Sequence, residues 1–251
     1  MGDEDKQIRP LFNSRQGIDF DLRENLPANL NLGAARRTFN AWQSGTLTDP
    51  TGQIWIDERY LSDIWRTDHG TAAFFVGGII PRDKANFSGR QCVKYSAVVY
   101  RLNEILQGPI ANRRREYLRL SEIIGLRARD ASQAEVLRLQ NAESVNDAKR
   151  RLKGDRIRAY NIQLDELTGQ MLELSTCEFH HIRRQSGHSD LISMIWNGLI
   201  INRSTHNLIT SNNISDEYQL CRFCISMTWF TDWYERYKAD VAAHYFGGRR
   251  Y

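Results

Sequence analysis

Proline and cysteine are scarce here, at five and four among 251 residues. So few prolines, beside a hydrophobic share of 41%, argue against wholesale disorder. Four cysteines at irregular spacing make no disulfide framework, so a reducing, cytoplasmic compartment is expected. Long apolar runs are missing too. The best candidates, Ala72 to Ile80 and Leu191 to Ile201, fall short of the ~18–20 residues that cross a bilayer. No membrane association is expected from them. The opening Met1-Gly2-Asp3-Glu4-Asp5-Lys6 is acidic and has no apolar core, so no secretory signal is expected.

Net charge is also small, +4 at neutral pH, but it is unevenly spread. Between Arg113 and Arg158 stand 13 Lys or Arg and 7 Asp or Glu, a local balance of +6. A basic segment on a near-neutral body reads either as a polyanion contact or as a solvated helix face. The length suits one large domain or two modest ones and is ample for a core without disulfides or a structural metal.

Asp49-Pro50-Thr51-Gly52 signals a turn, and the alternating Gln53 to Asp57 after it predicts a short strand. Ala73 to Ile80, stopped by Pro81, reads as a buried strand or the end of a core helix. From about Val93 the period turns helical, with Val98, Val99, Leu102, Ile105 and Leu106 on one stripe until Gly108-Pro109. Amphipathic helices are predicted over Glu116 to Leu126, Ala131 to Leu139 and Ala148 to Leu174. The last carries Ile157, Tyr160, Leu164, Leu167, Met171 and Leu174 on one stripe. Glu217 to Tyr245 again reads as helix, with Trp229, Phe230, Trp233, Tyr234 and Tyr237 as its core aromatics.

Four of the six histidines, His180, His181, His188 and His206, fall within 27 residues. Clustered imidazoles are what a metal or proton-transfer site needs. Cys177-Glu178-Phe179-His180-His181-Ile182 is followed 15 residues later by Asn197-Gly198, and His206 stands nine residues after Asn197. Adjacent residues on a strand face opposite ways, so His180 and His181 divide their labour.

The order His-His, Asn, His over this span resembles the HNH nuclease motif of the ββα-metal fold. The resemblance covers about Ser175 to Asp232, under a quarter of the chain. It implies His180 and His206 as ligands of a divalent cation, His181 as general base, and Asn197 as the brace of the loop that carries the base. The cation implied is Mg²⁺ first, with Mn²⁺, Ni²⁺ or Zn²⁺ as alternatives. The chain departs from the pattern in three places. Thr210 stands where many members have a further ligand, with Asn207 and Asn213 as substitutes. Cys221-x-x-Cys224 is a lone pair, with Cys177 and His188 the only completing residues. Asn202 holds a position often occupied by Cys. A structural zinc is therefore not expected, and Cys221 and Cys224 read as core.

Arg183, Arg184 and Arg203 flank the motif and suit phosphate contacts. Arg113-Arg114-Arg115 and Arg150-Arg151, beside Lys149, are the backbone-contact candidates farther upstream. The expected fold class is α+β: a mainly helical region, 1–174, that recognises and positions DNA, then a ββα-metal module with a C-terminal helix, 175–251. The expected function is metal-dependent, sequence-specific cleavage of double-stranded DNA of the restriction type. A palindromic site would call for a homodimer. Alternatives are an inactive nucleic-acid-binding scaffold, or a homing or nonspecific nuclease.

Overall fold

A computed structural model of the chain describes residues 8–13 and 16–247, and the acidic opening Met1 to Lys6 lies outside them. The architecture is mixed helix and sheet, of the α+β class. Among the described residues no helix is long and apolar enough to cross a membrane. The chain divides into two compact units between Asn141 and Ala142.

In the first unit, β1 (Arg9–Pro10), β2 (Thr46–Thr48), β3 (Ile54–Asp57), β4 (Lys84–Phe87) and β5 (Arg90–Lys94) form an antiparallel sheet in the order β1-β2-β3-β5-β4. The strand expected after the Asp49 turn is β3. The turn is held by Asp49 Oδ1, which accepts from Thr51 N at 2.9 Å. Around the sheet pack α1 (Leu32–Gly45), α2 (Leu61–Ile64), α3 (His69–Gly77), α4 (Tyr95–Gln107) and α5 (Asn112–Arg129). The run Ala73 to Ile80 opens as the end of a helix, α3, which stops at Gly77 and whose first turn is capped by Asp68 on Thr71 N at 2.8 Å. Trp42 and Trp65 anchor the core with no exposed surface. Their indole N–H groups are satisfied by Ser121 Oγ at 2.9 Å and Val98 O at 3.0 Å, as buried donors must be.

One helix, α6 (Ser132–Tyr160), runs where two were expected, and the division between units falls inside it. It ends at Tyr160, so the helix expected to reach Leu174 is corrected. Asn161 turns left-handed at φ +50, and Leu164 pairs with Met171 in an isolated antiparallel bridge. Gly169, at φ +71, sits in the turn between them, a conformation that side chains resist. Of the apparent stripe, Leu167 is buried while Met171 and Leu174 are exposed. The three- and four-residue spacing there reflects a looped-back segment and not a helix face.

The second unit holds β6 (Glu178–His181) and β7 (Gly198–Ile201), which form an antiparallel pair, then α7 (Arg203–Ser211), α8 (Glu217–Ser226) and α9 (Asp232–Phe246). The single C-terminal helix expected over Glu217 to Tyr245 is thus two, α8 and α9, parted at Thr228 with φ +57. Leu167, Ile182, Leu199, Ile201, Ile209, Leu220, Cys224, Trp233 and Tyr237 make its main core.

The division at 141/142 lies ahead of the expected 174/175, and the segment 161–174 shows why. Asp165 is buried and accepts four hydrogen bonds. Leu167 N and Thr168 N reach its Oδ1, both at 3.0 Å. Asn202 N at 2.8 Å and Thr205 Oγ1 at 2.7 Å reach its Oδ2. Glu166 lines the open edge of β7: its N–H donates to Ile200 O at 3.0 Å and its Oε2 accepts Ile200 N at 2.7 Å. Arg156, on α6, closes a bidentate pair with Glu166 at 2.8 and 2.7 Å and donates to Ile195 O at 2.7 Å. Residues 161–174, expected in the first region, are therefore built into the second unit.

Candidate functional site

Strand alternation sorts the site residues. On β6, Glu178 and His180 share one face, Phe179 and His181 the other. The register sets His180 opposite Leu199 and His181 opposite Gly198. Leu199 and Ile201 belong to the main core beneath α7, whereas Ile200 and Phe179 pack with Leu172 and Cys177 on the reverse side.

His206, in the first turn of α7, meets His180 with ring centroids 5.3 Å apart. Its Nδ1 lies 3.1 Å from Glu178 Oε2, and Arg203 Nε donates to Glu178 Oε1 at 3.0 Å. A carboxylate on one ring nitrogen fixes the orientation of an imidazole and leaves the other nitrogen for a ligand. Burial, with the neighbouring His206, His181 and Arg184, pushes His180 down to about 3. That ring is neutral at pH 7, with a lone pair to offer.

His181 leaves by the other face, edge-on to Phe179 at 4.9 Å. Its Nε2 is 3.1 Å from Ile192 O. A carbonyl only accepts, so Nε2 carries the hydrogen and Nδ1 is the acceptor. Nδ1 faces Gln185 Nε2 at 3.2 Å. Burial lowers the His181 pKa, against the Ile192 contact that raises it.

Asn197 is fully buried and ties three elements together. Its Nδ2 donates to Leu191 O at 3.2 Å, and its Oδ1 accepts Arg183 N at 3.3 Å and Tyr237 Oη at 3.0 Å. The loop from His181 to Leu191 is thereby fastened to β7 and α9. Gly198, extended at φ −160, has no room for a side chain: a Cβ there would stand 2.2 Å from the Phe179 ring.

The candidate phosphate contacts divide. Arg203 and Arg184 are exposed, and Arg184 also reaches Ile214 O at 3.3 Å. Arg183 is instead locked into a half-buried bidentate pair with Glu217, one arm at 2.8 Å. Arg150 and Arg151 are exposed on α6, Arg150 beside Asp147 at 3.2 Å. In the first unit Arg113 is exposed, but Arg114 donates to Arg66 O at 3.1 Å. Arg115 closes the end of α4 through Leu106 O at 2.9 Å and Gly108 O at 3.2 Å. Those two guanidiniums hold loops together.

All four cysteines are free. Cys177 and Cys224 lie in separate apolar clusters, and burial pushes the Cys224 thiol up to about 12. Thr210 is exposed one turn beyond His206. Among the described residues no three His, Cys, Asp or Glu side chains gather as a cation cage. Reasoning from sequence missed Glu178, Gln185, Asp165, Glu166 and Tyr237. Only Glu178 left a signal, since two residues' separation on a strand puts it beside His180. No protein-family model, curated protein or solved structure matches the chain.

Proposed function

We propose that the chain is a metal-dependent endonuclease that hydrolyses phosphodiester bonds in double-stranded DNA by the single-cation HNH route. In this reading β6, β7 and α7 are its ββα-metal module. One observation carries it: His180 from the strand and His206 from the helix meet, with centroids at 5.3 Å, while adjacent His181 turns to the opposite face.

Two imidazoles, one steadied by Glu178, are a donor set that suits a divalent cation. His180 and His206 would hold it. When bound, the cation relieves charge on the scissile phosphate and the leaving oxygen. His181 supplies the base: Nδ1 takes the proton of the attacking water once the Gln185 amide yields its place. Asn197 keeps that ring's loop in position from below. Arg184 and Arg203 are the exposed guanidiniums beside the module that suit flanking phosphates. The large first unit fits a role in choosing the substrate, hence a restriction-type enzyme, and four free thiols fit a cytoplasmic setting.

A second reading, a DNA-binding scaffold without activity, is favoured by Thr210 and by the lack of a three-donor group among the described residues. Incubating supercoiled plasmid with Mg²⁺, Mn²⁺ or Ni²⁺, and with EDTA, separates the two. The nuclease reading expects metal-dependent cutting that His181→Ala abolishes and His206→Ala makes more metal-demanding. Discrete bands mark a site-specific enzyme and a smear a nonspecific one. Binding without cutting in every metal supports the scaffold.

A further inference from the structure

The first unit holds a polar cleft that the nuclease reading does not use. Three helices meet at it: α4 through its first residue, Tyr95, α5 through its last, Arg129, and α6 through Arg138 in its second turn. The segment Thr51 to Ile54 closes the remaining side, and the space between is about 390 Å³. That segment is pressed against α6. At Gly52, φ +80, a Cβ would stand 2.7 Å from Ala134 O.

The Tyr95 hydroxyl is buried, yet among the described residues it has no hydrogen-bond partner. A buried hydroxyl without a partner is costly, and the large majority in folded proteins are bonded. Burial pushes this phenol up to about 12, so at neutral pH it keeps a proton to donate. The two guanidiniums beside it are held in place. Arg138 is fixed by Gly52 O at 3.3 Å, Glu135 at 2.8 Å and Arg129 O at 2.5 Å. Asp130 takes Nε and Nη2 of Arg129, at 2.7 and 2.8 Å, and leaves Nη1. Thr51 Oγ1 spends its hydrogen on Asp49 at 2.6 Å, and Gln53 Nε2 donates to Ile54 O at 3.0 Å. The donors that remain in the walls are a phenol and guanidinium hydrogens. Asp130 and Glu135 lie outside the lining, which carries two positive charges and no carboxylate.

We propose that this cleft binds a small-molecule oxyanion, a phosphate group above all, which accepts from Tyr95 Oη and Arg129 and is neutralised by Arg129 and Arg138. The site is independent of the nuclease reading. A phosphate accepts on several oxygens at once, and bonds between charged partners are the strong ones. The walls repel a cation, and an uncharged ligand gains nothing from two guanidiniums. The volume falls within the ~300–1,000 Å³ of small-molecule sites.

Isothermal titration calorimetry of the whole chain with inorganic phosphate, at fixed ionic strength, tests the proposal. The native chain should saturate, with a dissociation constant on the order of 1 mM, and chloride should give no such curve. Tyr95→Phe should weaken binding at least ~threefold without lowering the melting temperature, because the hydroxyl bonds nothing in the free chain. Arg129→Gln should weaken it ~tenfold. Absence of saturation in the native chain overturns the proposal. So does native-like phosphate binding in both variants. A Tyr95→Phe chain that melts lower shows that the hydroxyl is already satisfied within the protein, and overturns it too. Duplex DNA, titrated in parallel, separates the sources of phosphate. If Tyr95→Phe weakens DNA binding and leaves inorganic phosphate untouched, the cleft serves a nucleic-acid backbone and the small-molecule site is refuted.

Discussion

Asp165 Oδ2 accepts the Thr205 hydroxyl at 2.7 Å, across forty residues of chain. The same oxygen holds Asn202 N at 2.8 Å, so one carboxylate fastens the start of the helix that carries His206. Anions belong at helix N-termini, where N–H groups lack partners. Asp165→Ala strands four donors in a buried place and should destabilise the fold by ~3 kcal/mol or more. Thr205→Val removes one bond and should cost about 1–2 kcal/mol. Urea denaturation gives both values. Equal losses would mean that the carboxylate is not the anchor.

The Arg156–Glu166 pair is nearly dry, with side chains 3% and 13% exposed. Removing Arg156 leaves Glu166 only the half-exposed Arg236, 3.7 Å from its Oε1, as a counter-ion. Arg156→Met should therefore cost about 3–5 kcal/mol. Arg156→Met with Glu166→Gln should recover part of that loss, because the amide needs no counter-ion. A double variant as unstable as the simple sum of the two would show that the ions do not act as a unit.

Acid should loosen the second unit through Glu217. The hydrogen-bonded Arg183 guanidinium holds this carboxyl below its ordinary 4.5, outweighing the burial that would raise it. A carboxyl with a depressed pKa binds its proton more weakly in the folded chain. Its stabilising share is therefore complete above 4.5 and fades as pH falls through the folded value. Urea midpoints measured between pH 7 and pH 3 should drop, and Glu217→Gln should flatten that drop. An identical slope in the variant would falsify the assignment.

The arginines of α5 should separate into two kinds. Arg113 is exposed, and under the proposed nuclease function its replacement by Ala should lower DNA affinity and reduce the salt slope by about one. Arg115→Ala strips two donors from the carboxyl end of α4 and should lower the melting temperature. Filter binding at several salt concentrations and thermal melts read the two effects. If Arg115→Ala changes only binding, its contacts to Leu106 and Gly108 are incidental.

Gly198→Ala forces a methyl group into the Phe179 ring, and the strand pair must spread. The expected loss is ~1–3 kcal/mol. Phe179→Leu should restore part of it by vacating the contact. Stability of the single and double variants by urea denaturation decides the matter.

The site was legible because its residues are local. His180, Asn197 and His206 occupy one strand, the next strand and the following helix, so linear spacing carried the pattern. Period two alone told that His180 and His181 face apart. Asp165 and Glu166 were illegible because their partners, Thr205, Asn202, Ile200 and Arg156, come from other elements, and nothing in a linear reading pairs them. The stripe from Ile157 to Leu174 deceived because a loop that folds back on itself also buries a residue every few positions. The turn at Thr228 carried no Gly or Pro to announce it. In the first region, β3 is legible from its alternation, whereas Arg114 and Arg115 read as phosphate contacts because the carbonyls they hold, Arg66, Leu106 and Gly108, are not signalled by the basic tripeptide.

Asn197 precedes a glycine, the context in which an asparagine side chain is most open to attack by the next backbone nitrogen, closing a succinimide with loss of ammonia. In the folded chain Tyr237, Leu191 and the Arg183 amide grip both ends of that carboxamide, and the ring cannot close. Unfolding releases the grip. Each excursion then exposes the dipeptide to ageing into aspartate or isoaspartate, neither of which can donate to Leu191. Heat damage in this protein should accumulate as a covalent clock that ticks only while the second unit is open.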